Sequence, residues 1–532
     1  MKEDQHTFTE ISQEIADDFL STIVFIDECA YKQAPENDND FDAKAVTETF
    51  AKKGKICSVF APEKVSDLNN ICSMLFKADA IVLDWRLNII DDKSQRRTDL
   101  ETDSDSDDER GQYTIPIIQQ IVKDAGDGKV KLIVVYTGET DLNNICQNLF
   151  DQIQSANKQQ LNDNFEVKIN NVKILVRAKY KEGKYSHSGD ALKQSMVTYK
   201  ELPDFIVNEF SSLTAGLLPN FALQAITEIR NSTSKILGVF SKELDPAFLG
   251  HCSLTCIDGG AEVLSEVFGT AITELINASP IDLNEWVNLW INQIPSTGKE
   301  IILKDVKNNQ SSEPTEDTRQ IDASKDLLKN IIVGDFTNIK DTSNKIYSDK
   351  KAPKHASGFY CLNGESEDET NLLFAQLTQN KDLFSIKPVA PELTQGAIIK
   401  DAQEHYWLCV SPACDCARIS TNGKNFIFVP INKEAADGIP IVLDQNVVKG
   451  VDIHPYSINM RRFNSKEENK PVKAENDNGT YMFTDTEYNK YQWVITLKRL
   501  YAQKITEKLS SQMSRVGLNI SEWLRTKGND KD

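Results

Sequence analysis

Five short apolar runs, most of them stopping abruptly at polar residues, constrain this chain more than any other feature of its sequence. Thr22-Ile23-Val24-Phe25-Ile26 stops at Asp27-Glu28, and Ala80-Ile81-Val82-Leu83 stops at Asp84. Lys131 to Tyr136 stops at Thr137-Gly138, Val172 to Val176 lies just before Lys179, and Lys55 to Phe60 falls between the first two. Helical patterns separate them, around 43–53 and at Val65, Leu68, Ile71, Cys72 and Leu75. Unbroken apolar strands are buried on both faces, and their alternation with helices predicts an α/β fold built on a doubly wound, five-stranded parallel sheet over residues 1–190. Ligands of such sheets gather at the carboxyl ends of the strands. Asp27, Glu28, Asp84 and Thr137 all fall at such ends, and Lys179 lies close to one.

The rest of the chain changes character. Phe205, Ile206, Phe210, Leu213, Leu217 and Leu218 form an apolar stripe that predicts a helical region over 200–300. Residues 300–384 contain polar stretches at 306–326 and 341–356, expected as linkers or long loops. Short alternating runs such as His405 to Val410 and Gln492 to Leu497 predict a β-rich α+β module over 385–532, closing in a helix from Ala502 to Leu524. An acidic insert at 91–111 separates the third and fourth strands of the N-terminal sheet. Its like charges predict a disordered loop, and its spacing lacks the Gly and Glu positions of an EF-hand.

With 60 Lys and Arg against 80 Asp and Glu, the chain carries a formal charge of −20. That argues against general binding to nucleic acid or anionic membranes, which needs a positive field. No apolar stretch approaches the roughly 20 residues of a membrane helix. The N-terminus, Met1-Lys2-Glu3-Asp4-Gln5, lacks the apolar core of a signal peptide, and the ten cysteines are scattered. The expectation is a cytoplasmic protein with neither nucleic acid nor membrane as partner.

An acidic pair at one strand end and a third carboxylate on a neighbouring strand make a hard-oxygen site suited to Mg²⁺. Asp27, Glu28 and Asp84 are the expected metal ligands, and one carboxylate can then attack phosphorus as a nucleophile. Lys179 would supply a compact positive charge to the transferring phosphoryl group, and the Thr137 hydroxyl a hydrogen bond to it. Each residue also has a plainer use: Asp at a strand end caps helices and forms turns, and Thr-Gly is common at such turns.

The ordered set Asp27-Glu28, Asp84, Thr137 and Lys179 resembles a response-regulator receiver domain, over about 160 residues. The resemblance implies a flavodoxin-like sheet, Asp84 as phosphoacceptor, Asp27 and Glu28 as holders of Mg²⁺, Thr137 as the switch hydroxyl and Lys179 as the phosphate-contacting lysine. It implies a sensor histidine kinase as phosphodonor. The gaps from Asp84 to Thr137 and from Thr137 to Lys179 are longer than usual for receivers, and no proline follows Lys179, so Lys181 and Lys184 stand as alternatives.

Downstream, Cys409, Cys414 and Cys416 are either small buried hydrophobes or, with His405, soft ligands for Zn²⁺. Gly396-Ala-Ile-Ile-Lys400, Trp407 to Asp415, Ser514 to Gly517 and Glu522-Trp523-Leu524 resemble large receiver-containing proteins of bacterial conflict systems, among them the receiver-only component of the Detocs antiphage system. That resemblance implies a phosphate sink or regulator beside a histidine kinase and a second receiver-containing effector. The alternative is a phosphorylation-switched effector whose Cys-containing module is an enzyme or a metal-dependent binding domain.

Overall fold

The computed structural model describes residues 6–31, 41–87, 89, 111–126, 129–155, 157–161, 164–179, 190–255, 257–279, 281–294, 299–307, 315–347, 350–381, 390–432, 439–444, 447–451 and 457–513. The acidic insert (apart from Gly111), Lys181, Lys184 and the motifs at 514–524 lie outside the described residues. Two compact units divide the chain: Met1–Val239 with Thr270–Gln293, and Phe240–Gly269 with Ile294–Asp532.

The first unit begins with helix α1 (Phe8–Phe19), entered through a capping box in which Thr7 and Glu10 satisfy each other's backbone N–H groups. There follow β1 (Thr22–Ile26), α2 (Ala43–Lys52), β2 (Ile56–Phe60), α3 (Asp67–Leu75), β3 (Ala80–Leu83), α4 (Thr114–Ala125), β4 (Lys131–Thr137) and α5 (Leu142–Gln152). Then come β5 (Lys158–Leu161), β6 (Glu166–Ile169), β7 (Val172–Lys179), α6 (Asp190–Gln194), β8 (Met196–Val197), α7 (Leu202–Thr214) and α8 (Leu217–Asn231). The sheet order is β2-β1-β3-β4-β7-β6-β5, with β8 added to β7. The pairs β2–β1, β1–β3, β3–β4 and β4–β7 are parallel.

Every residue of β3 and β7 is buried, because helices cover both faces. Val24, Ile26, Ile81 and Leu83 turn toward α3, α4 and α5. Ile23, Phe25, Ala80 and Val82 turn toward α1, α2, α7 and α8. This strict alternation follows from the two-residue side-chain period of a strand. Each fully buried Val, Ile or Leu in these strands contributes about 1.5–3 kcal/mol.

The mixed α/β architecture is the expected one, with three strands more than the five anticipated. β5 and β6 form an antiparallel hairpin against the outer edge of β7, and β8 pairs in parallel with Ala178 and Lys179. The hairpin escapes a periodicity reading because Lys158-Gln-Gln-Leu161 and Glu166-Val-Lys-Ile169 are short and half polar. The β6–β7 turn is the pair Asn170-Asn171, with Asn170 at φ 51°, a conformation Asn tolerates better than most residues.

In the second unit β9 (Lys299–Lys307) and β10 (Thr315–Ala323) form an antiparallel ribbon. The linker expected at 306–326 therefore contains a strand; its polar sequence, Thr-Glu-Asp-Thr-Arg-Gln-Ile-Asp-Ala, hides the pairing. A larger antiparallel sheet uses β11 (Ala397–Lys400), β12 (Tyr406–Cys409), β13 (Lys424–Asn432), β14 (Ile439–Asp444), β15 (Val447–Val451), β16 (Asn459–Phe463), β17 (Glu475–Asp477), β18 (Thr480–Thr484) and β19 (Lys490–Thr496). One face packs Phe426, Phe428, Phe463, Phe483 and Tyr491. The other packs Leu408, Val429 and Ile441 beneath Ala502, Ile505 and Leu509 of the helix Arg499–Met513. No helix among the described residues is long and apolar enough to cross a membrane.

Candidate functional site

The strand ends of the first unit are held one residue beyond their apolar runs. Asp27 N–H donates to the Phe60 carbonyl at 3.1 Å, and Asp84 N–H donates to the Ile26 carbonyl at 2.9 Å. β7 runs on to Lys179, where pairing with Val197 fixes its backbone. Side chains from the ends of β1, β3 and β7 therefore meet, with β4 lying between β3 and β7 in the sheet. Lys179 Nζ donates to Asp27 Oδ2 and to Asp84 Oδ2, each at 2.7 Å. The side chains of Asp27 and Lys179 are 3% and 4% exposed, against 12% for Asp84, so Asp84 is the carboxylate an incoming group can reach.

The loop after Asp84 is secured from behind. Thr114 Oγ1 donates to the Asp84 carbonyl at 2.8 Å and to the Trp85 carbonyl at 3.1 Å. The Trp85 ring lies on Gly111, whose φ of 84° suits glycine and whose Cβ, if present, would sit 2.5 Å from Trp85 Cζ2.

One ammonium between two carboxylates leaves a net negative charge among largely buried groups. Burial pushes the Asp84 carboxyl up to about 6; the Lys179 charge works against this and the Asp27 charge adds to it. Burial opposes the Lys179 charge, but Asp84 and Asp27 together hold its ammonium above the usual lysine value. Lys179 Nζ also lies 5.4 Å from the centre of the Phe41 ring and 5.9 Å from that of Tyr136. Tyr136 donates its hydroxyl to the Val197 carbonyl at 2.6 Å, and Tyr199 meets both rings edge-on. Sequence reasoning missed this aromatic seat. The available signals were Phe41, an apolar residue at the end of a polar stretch, and Tyr136, directly before Thr137.

Thr137 is buried at the end of β4, in register with Ala178, and its Oγ1 accepts from Glu139 N–H at 3.1 Å. Of the three expected metal ligands, the structure brings Asp27 and Asp84 together through Lys179. Glu28 is partly buried, with its Oε1 3.9 Å from Cys29 Sγ. Among the described residues no three His, Cys, Asp or Glu side chains are grouped to hold a metal ion. The cation that joins the two carboxylates here is the Lys179 ammonium.

In the second unit Cys409 and Cys416 are buried among apolar side chains, whereas Cys414 is exposed. A hydrogen bond with Cys409, then burial, pushes the Cys416 thiol far up, as expected of inert core thiols. His405, the proposed fourth zinc ligand, instead has Nδ1 3.4 Å from Asp401 Oδ2.

A nucleophilic carboxylate at a strand end, backed by a buried ammonium, is equipped to take a phosphoryl group and neutralise its charge. No curated protein and no solved structure matches the chain. Residues 19–184, just under a third of the chain and including Asp27, Glu28, Asp84, Thr137 and Lys179, match the family of response receiver domains, which supports reading this as a receiver-domain protein.

Proposed function

We propose that Asp84 accepts a phosphoryl group from the phosphohistidine of a sensor histidine kinase. The N–P bond to the donor breaks, an Asp84 Oδ–P bond forms, and the donor imidazole leaves. The observation that carries this reading is the Lys179 ammonium shared by Asp27 and Asp84 at 2.7 Å each. Lys179 steadies the carboxylates before transfer and faces the added phosphoryl charge after it. The Thr137 hydroxyl, one strand away from Lys179, is the donor for a phosphoryl oxygen. Asp27, Glu28 and Asp84 are hard-oxygen donors that fit Mg²⁺ in kind, with two of the three already adjacent. When bound, the ion would supply charge neutralisation at phosphorus.

The phosphorylated chain acts as a phosphate sink or regulator in a two-component antiphage system, together with its kinase and a second receiver-containing effector. What supports this finer reading is the resemblance of Gly396 to Lys400 and Trp407 to Asp415 to such proteins. The alternative of a zinc-dependent effector module draws no support from one exposed and two buried thiols. The test is incubation with a small acyl-phosphate donor and Mg²⁺. An acid-stable, base-labile phosphoprotein that disappears in Asp84→Asn is the expected result. An equal signal in that variant overturns the assignment.

A further inference from the structure

Three tight turns of the second unit share one design. Asp341, Asp401 and Asp485 each head a turn in which the aspartate N–H donates to the carbonyl four residues on. The residue three positions on, Asn344, Glu404 or Tyr488, has φ between 61° and 67°. In each turn Oδ1 accepts two backbone N–H groups: Ser343 and Lys345, Gln403 and His405, Glu487 and Asn489. The turns differ in what Oδ2 does. Asp341 Oδ2 takes an arginine, Arg319 Nη1, at 2.9 Å. Asp401 Oδ2 instead takes Trp407 Nε1 at 2.9 Å, and Asp485 Oδ2 takes the Tyr491 hydroxyl at 3.1 Å.

Those two pinned rings hold Arg461. Its guanidinium carbon lies 4.1 Å from the centre of the Trp407 ring, 4.6 Å from Tyr491 and 5.7 Å from Phe428. Asp401 and Asp485, the carboxylates nearby, are occupied by their own turns and rings. Arg461 Nη1 is sealed from solvent with no hydrogen-bond partner among the described residues. An unpaired buried donor is costly, more so on a charged group, and in a chain of net charge −20 acidic partners are plentiful. The rings meet the positive charge of the guanidinium but accept no conventional hydrogen bond, so its Nη1 N–H groups still lack an acceptor.

We infer that Arg461 is the anchor of a binding site for a carboxylate ligand, which supplies the acceptor its guanidinium lacks. Arg461 as a whole is only partly buried, and a planar carboxylate would take two parallel N–H bonds from its guanidinium. A singly charged, flat anion suits this position better than a phosphate dianion, because Asp401 and Asp485 bring negative charge close to Arg461. The same carboxylate chemistry can come from a free organic acid or from an acidic peptide.

Titration calorimetry of the full chain tests this with benzoate, a capped glutamyl dipeptide and inorganic phosphate as probes. Saturable binding of benzoate or of the dipeptide is expected, and the arm that saturates names the source. Arg461→Lys should weaken that binding by about tenfold or more, since a point charge cannot replace the fork. Arg461→Met should abolish it while leaving the unfolding temperature unchanged or higher. The inference is overturned if neither carboxylate saturates, if phosphate binds more tightly than both, or if Arg461→Met binds as the wild type does. A fall in the unfolding temperature of Arg461→Met without carboxylate binding to the wild type assigns Arg461 to the core and overturns it too.

Discussion

Replacing Lys179 by Met removes the ammonium shared by the buried Asp27 and the largely buried Asp84 and keeps most of the side-chain volume. Breaking a buried ion pair from one side costs about 3–5 kcal/mol. Here the loss has a ceiling, because Asp84 can take up a proton instead. Its carboxyl already stands up at about 6 with Lys179 present, and rises further without it. Protonating at pH 7 a group that ionises near 3.9 when unfolded costs about 4 kcal/mol, and at pH 5 only about 1.5 kcal/mol. A folded-state value above the unfolded one means the folded variant binds more protons in that interval, so its stability falls as pH rises. Because the wild type, whose Asp84 ionises only near 6, already bears much of this cost, the variant should lose up to about 4 kcal/mol at pH 7 and about 1 kcal/mol less than that at pH 5. Amide hydrogen exchange in β1, β3 and β7, corrected for intrinsic rates, reads this locally in a chain of two compact units. A loss below about 1 kcal/mol at pH 7, or an equal loss at both pH values, would mean that Lys179 does not hold the two carboxylates in this way.

Phosphoryl uptake from a small acyl-phosphate donor without added metal should fall as pH drops through about 6, where Asp84 gains its proton; a rate flat across that range in stopped assays contradicts this. Gly111→Ala should destabilise the first unit by about 2–4 kcal/mol, since the new methyl meets the Trp85 ring at a backbone angle that favours glycine; thermal melting measures it. Tyr136→Phe keeps the ring beside Lys179 but strands the Val197 carbonyl, and should cost about 1–3 kcal/mol by chemical denaturation. Asp84→Asn should fold as well as the wild type, because it removes a carboxylate that burial disfavours and leaves Lys179 paired with Asp27; the check is an unchanged melting curve.

The heart of the first unit was legible because burial on both faces forces unbroken apolar strands, so the charged residues at their ends stand out. Their order along the chain is enough to place Asp27 and Asp84 at neighbouring strand ends. What was hidden depended on partners. Glu166 to Ile169 is a strand because β7 offers an open edge, and Thr315 to Ala323 is one because β9 pairs with it. Neither carries enough apolar residues to announce itself. The aromatic seat of Lys179 draws on positions 41, 136 and 199, and no local spacing links them. The place of Glu28 relative to Asp27 and Asp84 was equally unreadable, because one residue past a strand the two-residue period no longer fixes direction.

Chemical trapping reads phosphorylation of Asp84 itself. After incubation with a phosphodonor and Mg²⁺, borohydride reduces an aspartyl phosphate to homoserine, and peptide mass spectrometry locates the change. Homoserine at position 84 alone is expected. Homoserine at another aspartate, or none after full exposure to donor, contradicts it.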